Sequence, residues 1–194
     1  MKIMKTDKME YIFGFIGIII LAIALTLAIC YDGHNYNIFT RTISSLGDYE
    51  GRFFFSIGFI TAGCLGIPFY IRLERSLKGF NETVRRLATG ISVFACLGIA
   101  CIGVIPISEF PKSFLLFHGL MAFLAFTFTS IYIGLYSYLM LRDGDYSFMI
   151  PVLGIVVIIT LMVLLITMMP IIEWILFSIM FVWITSVTIK KLRE

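Results

Sequence analysis

Two adjacent serines, Ser44 and Ser45, stand in the stretch TISSLGDYEG at residues 42–51, together with Asp48 and Glu50. A serine becomes a nucleophile when a base takes its proton and a carboxylate orients that base. The chain has 2 histidines, His34 and His118. His118, Ser44 or Ser45, and one of Asp48, Glu109 or Glu173 supply the residue types for hydrolysis or transfer at a lipid headgroup. Nothing in their spacing demands it. There is no G-x-S-x-G elbow, and serines before a glycine in a loop more often close a turn or cap a helix. The catalytic candidates therefore stay open among Ser44, Ser45, Asp48, His118 and Glu173. A catalytic zinc needs several protein ligands plus a water. His34 and His118 with nearby carboxylates are the only candidates, and the chain has no H-E-x-x-H and no histidine pair at helical spacing. The stretch GHNYN around His34 reads as a surface loop. No metal and no cofactor is expected.

The elements that must position these residues are apolar helices. The chain is 60% hydrophobic and 14% charged, with a mean hydropathy of +1.01, whereas soluble domains carry about 25% charged residues. A hydrocarbon core of about 30 Å takes about 20 apolar residues per helix. Stretches of that kind lie at about 11–31, 53–73, 87–106, 113–140, 148–169 and 172–189. They occupy most of the 194 residues, so 1–194 reads as a single transmembrane domain. Membrane barrel strands alternate apolar and polar residues. The run IGIIILAIALTLAI at 16–29 is apolar on every face, which selects helices. The expected fold is an all-α polytopic bundle of six transmembrane helices. The fourth stretch is long enough to tilt or to begin above the membrane. In the first, LAIC at 27–30 resembles a lipoprotein cleavage box, but bulky Ile29 and the length of the apolar run favour an uncleaved helix.

Lysine and arginine set the expected orientation. Lys2, Lys5, Lys8, Arg72, Arg75, Lys78, Arg85, Arg86, Arg142, Lys190, Lys191 and Arg193 fall on one side, and Arg41, Arg52 and Lys112 on the other. Both termini are therefore expected in the cytoplasm of a plasma-membrane protein. The net charge of +3 reflects this asymmetry rather than nucleic-acid binding. The loop 32–52 lies outside, and the outer ends collect Asp32, His34, Arg41, Ser44, Ser45, Asp48, Glu50, Glu109, His118 and Glu173. Ionisable groups near lipid usually face the bundle interior. His118, Ala122, Ala125 and Thr129 follow one helical face. Gly58, Ala62, Gly63 and Gly66 let the second helix approach its neighbours closely. The fifth helix is expected at the lipid-facing periphery. Tyr31 and Trp174 read as an outer aromatic belt, and Tyr11, Tyr70 and Tyr146 as an inner one. Cys30 and Cys101 both lie near outer helix ends, which leaves a disulfide between them open. TISSL, PISEF and PIIEW begin 64 residues apart, at 42, 106 and 170, and would place Ser45, Glu109 and Glu173 at matching sites of a faint repeat.

These residues also carry a likeness. ISSLG at 43–47, FFFSIGFITAG at 53–63, GVIP at 103–106 and HG at 118–119, in that order, resemble the domain of unknown function (DUF) 998 family of bacterial and archaeal membrane proteins over about 35–190. The resemblance implies an integral membrane protein of six to seven helices with no assigned chemistry. The chain is more distantly similar to the eukaryotic DRAM and GPI-lipid-remodelling membrane proteins, which share a helix-borne histidine after a glycine-rich span.

The function expected from the residues is binding of a membrane lipid or small amphiphile at an outer polar pocket formed by Arg41, Glu109, His118 and Glu173. A lipid-headgroup hydrolase or transferase is the alternative. The midplane carries little polarity beyond Thr129, Ser130, Thr160 and Ser178, so a small transporter or channel would have to act as a homo-oligomer.

Overall fold

The computed structural model describes residues 3–32, 36–77, 79, 81–105 and 112–193. Six helices follow one another: α1 (Ile3–Tyr31), α2 (Arg52–Ser76), α3 (Glu82–Val104), α4 (Lys112–Arg142), α5 (Met149–Thr167) and α6 (Pro170–Arg193). A short 3-10 turn, Ser44–Asp48, lies between α1 and α2. All six helices are long and apolar enough to cross a membrane, and the described residues include no strand. The protein is an all-α, multi-pass integral membrane protein.

Each helix packs on its neighbour in sequence, and α1 packs on α6. The bundle is therefore a closed ring. The start of α1 and the end of α6 lie at one end, where the Thr188 hydroxyl donates to the Tyr11 carbonyl at 3.4 Å. The loop between α1 and α2 lies at the other.

The apolar windows fix where the helices run, and local chemistry fixes where they start and stop. The α3 helix begins five residues before its apolar window because Asn81 caps it. The Asn81 carboxamide oxygen accepts the Val84 N–H at 3.2 Å, and Glu82 complements the first-turn dipole. At the other side of the bundle α5 stops at Met168, which adopts φ 51° in the left-handed region. Its N–H returns to the Leu164 carbonyl at 2.8 Å, a helix end that glycine usually makes. Pro170 then opens α6 at a first position where its missing N–H is not needed.

Small residues set the helix spacing. A Cβ on Gly63 would sit 2.5 Å from the Cys96 carbonyl oxygen of α3, and one on Gly58 2.7 Å from the Ala24 Cβ of α1. The α2 helix thus uses two different small faces for two neighbours. The α5 helix turns Ile155, Ile159, Met162 and Ile166 outward, and its Thr160 and Thr167 hydroxyls both donate to their own helix at 2.8 Å.

One expectation needs correction. Tyr11, Tyr70 and Tyr146 do not form an interfacial belt, for all three are buried. Each has a partner that draws its hydroxyl end inward: Tyr70 meets Tyr132, Tyr11 reaches the Arg72 carbonyl, and Tyr146 meets Ser76. The question left open by Cys30 and Cys101 is answered by free thiols at all four cysteines.

At the end of the bundle where α1 starts and α6 ends, three arginines at the facing ends of α2 and α3 are paired. Arg85 meets Glu74 at 2.5 Å, Arg75 meets Glu10 at 3.9 Å, and Arg86 pairs with Glu82.

Candidate functional site

A ring of six helices leaves a centre to fill, and here the side chains leave a cavity of about 160 Å³. All six helices contribute to its wall, with Leu21, Phe59, Phe69, Ile99, Phe126, Leu161, Leu176 and Met180 among the apolar lining. Along α6 the wall runs from Glu173 to Ile184, about 16 Å at 1.5 Å per residue. Polar groups stand at its two ends. Glu173, Ser44 and the backbone of Ile43 close the end nearest the α1–α2 loop, and Thr129, Tyr70 and Tyr132 lie deep. The wall is otherwise apolar, and of the residues expected to form a polar pocket Glu173 lines this space while Arg41 and His118 do not.

The cap is a strap of chain from Tyr36 to Asp48. The Glu173 Oε2 accepts the Ile43 N–H at 2.6 Å, and the same carboxyl accepts the Ser44 N–H. The next residue of α6 holds the strap again. The Trp174 Nε1–H donates to the Tyr36 hydroxyl at 3.0 Å. That hydroxyl in turn donates to the carbonyls of Arg41 at 3.2 Å and Thr42 at 3.1 Å. Burial pushes the Tyr36 phenol up to about 12; the Trp174 hydrogen bond opposes the shift and the nearby Glu173 carboxylate adds to it. Ile43 and Leu46 anchor the strap in the bundle with 6% and 0% exposure.

The other candidates separate into distinct roles. Arg41 is engaged within the loop: its Nη1 meets Asp32 Oδ2 at 2.7 Å, and its guanidinium sits 3.8 Å from the centre of the Tyr49 ring. The Ser45 hydroxyl donates to the Thr42 carbonyl at 2.7 Å, the local bond of a turn-forming serine. Ser44 lines the cavity, and Asp48 is half-buried at the end of the same turn. His118 is 4% exposed, and its Nδ1 lies 2.8 Å from the Ile105 carbonyl at the end of α3. A carbonyl only accepts, so Nδ1 carries the proton and Nε2 is left as the acceptor. That Nε2 is buried with no hydrogen-bond partner among the described residues. Among the described residues no hydrogen bond joins His118 to Ser44, Ser45, Asp48 or Glu173. Glu109 and His34 lie outside the described residues. Among the described residues no cluster of three His, Cys, Asp or Glu side chains is placed to hold a metal.

Two features were missed in the sequence. The strap latch uses Tyr36 and Trp174, and no local pattern connects residues 138 positions apart. The tyrosine cluster could have been found. Tyr132 and Tyr136 continue the His118, Ala122, Ala125, Thr129 face by steps of three and four. In the structure the Tyr70 and Tyr132 hydroxyls meet at 2.8 Å, and Tyr136 donates to the Tyr70 carbonyl at 3.2 Å.

Neither curated proteins nor solved structures supply a match to this chain. A family model does, and it takes in both the strap and every helix that walls the cavity. Over residues 15–190 the chain matches the family described as Protein of unknown function (DUF998), and it belongs to that family.

Proposed function

We propose that this protein binds a membrane lipid or small amphiphile, with a hydrocarbon chain in the central cavity and the polar end beneath the 36–48 strap. The observation that carries the reading is the pairing of an apolar cavity wall with polar groups confined to its ends. Ligand sites are mostly apolar with a few placed polar groups that fix orientation. The size narrows the ligand. An apolar cavity of about 150 Å³ stays dry and takes up a molecule such as benzene. The space of about 160 Å³ therefore takes the head-proximal part of one hydrocarbon chain and not the paired tails of a phospholipid.

In this reading the strap end faces outward and both termini lie in the cytoplasm, across the plasma membrane. The excess of lysine and arginine at the end where α1 starts and α6 ends supports that orientation.

The test is mass spectrometry of lipids retained through purification, with wild type beside Met180→Trp, which fills the cavity from α6. A single-chain lipid held by wild type and absent from the folded variant supports the reading. An identical lipid profile for both overturns it.

A second reading has one observation in its favour. The His118 Nε2 is a buried acceptor with no partner among the described residues, and such an atom in a neutral imidazole is a candidate general base. Lipid-headgroup hydrolysis or transfer would then require a substrate that brings its own hydroxyl or water to His118. New lipid products from wild type, and none from an equally folded His118→Ala protein, would establish it.

A further inference from the structure

The bonds that close the cavity define what a ligand head must offer. Glu173 supplies the only carboxyl group in the cavity wall, and no lysine, arginine or histidine lines it among the described residues. The nearest arginine in the strap, Arg41, is turned to Asp32 and stacked on Tyr49. With the strap closed, the Glu173 carboxyl is satisfied by two backbone donors, Ile43 N–H at 2.6 Å and Ser44 N–H. Lifting the strap to admit a ligand removes both donors at once and leaves carboxyl oxygens at an apolar mouth.

We propose that this mouth takes a single-chain amphiphile whose head donates hydrogen bonds, an alcohol or an amine, and discriminates against carboxylate and phosphate heads. The proposal rests on the lipid-binding reading above and adds the chemical class of the ligand. A hydroxyl or an ammonium replaces the donors that the strap withdraws. An ionised carboxylate or phosphate brings acceptors only, sets like charge beside Glu173, and finds no cation in the wall to pair with. The deep hydroxyls of Thr129, Tyr70 and Tyr132 lie away from the strap, where Tyr70 and Tyr132 bond each other at 2.8 Å, so a head held at the mouth does not reach them. Selection is therefore exercised at one residue, at the strap.

The experiment places the protein in phosphatidylcholine nanodiscs that hold equal amounts of dodecan-1-ol, dodecylamine and dodecanoate, in mildly alkaline buffer. Bound ligand is counted by intact-protein mass spectrometry for wild type, Glu173→Gln and Met180→Trp. The expected result is that wild type retains the alcohol and the amine at least about tenfold over dodecanoate, a ratio that one well-made hydrogen bond can supply. Glutamine offers both a donor and an acceptor, so Glu173→Gln should bring the ratio close to one. Equal retention of all three ligands by wild type, lost in Met180→Trp, would overturn the head selectivity while leaving the cavity as a lipid site. Retention of none would overturn both. The wild-type ratio decides the matter even if a variant fails to fold.

Discussion

Glu173 and Ile43 are 130 residues apart in sequence, yet the Ile43 N–H reaches the Glu173 Oε2 at 2.6 Å. The contact ties the first loop of the chain to the start of its last helix. It also sits over the central cavity, whose wall includes both residues.

Removing that carboxyl should free the strap. Glu173→Ala leaves the N–H groups of Ile43 and Ser44 without their acceptor, at a cost of about 1–3 kcal/mol for each buried donor. Residues 36–48 should then exchange amide hydrogens faster while the helices stay protected, and exchange mass spectrometry reads this directly. Glu173→Gln keeps one acceptor oxygen and should show a smaller change. Equal protection of the strap in wild type and Glu173→Ala would mean that the latch lies elsewhere.

The strap should also open at alkaline pH. Tyr36 has its phenol raised to about 12 in the folded protein, against about 10 when unfolded. A raised pKa means that the folded state favours the protonated phenol. Its contribution is whole below about pH 10 and is lost as pH rises through about 12. Trp174 donates to this hydroxyl, so Trp174 fluorescence should report the transition in a Trp183→Phe background. In Tyr36→Phe the transition should vanish, and the strap should already be loosened at neutral pH.

Close helix approach should matter more than the buried tyrosine pair. Hydrogen bonds between helices in a bilayer average about 0.6 kcal/mol, whereas overpacking a tight site costs about 1–3 kcal/mol. Tyr132→Phe deletes the 2.8 Å bond to Tyr70. Gly63→Ala would put a Cβ 2.5 Å from the Cys96 backbone oxygen, which cannot give way as a flexible side chain can. Unfolding from bicelles should show Gly63→Ala as the more destabilised of the two.

How much of this was legible in the sequence depended on the range of the signal. Each helix follows from its own apolar run, so α1 to α6 are readable locally. The inward face of α4 is readable too, since His118, Ala125 and Thr129 are all buried. The strap is different. Its polar composition shows that residues 42–51 are unlike the rest, but Ser45 and Arg41 are satisfied within the loop. The partner that matters, Glu173, comes from the far end of the chain. The cavity is harder still. It arises from how six helices close a ring, and no single helix face encodes the space left at the centre.

Orientation can be tested without reference to the ligand. Tyr49 is exposed in the loop after the strap. In a chain with its native cysteines replaced, Tyr49→Cys should react with a membrane-impermeant thiol reagent on intact cells. A cysteine appended after Glu194 should react only after lysis. The reverse pattern would place the strap in the cytoplasm.

The most direct measurement is mass spectrometry of the lipids that purify with the wild-type protein and with Met180→Trp. The account requires a single-chain amphiphile bound to wild type and displaced from a folded, monodisperse Met180→Trp protein. A wild-type protein that carries no such molecule, or a variant that carries it equally well, would contradict the claim that the central cavity is the binding site.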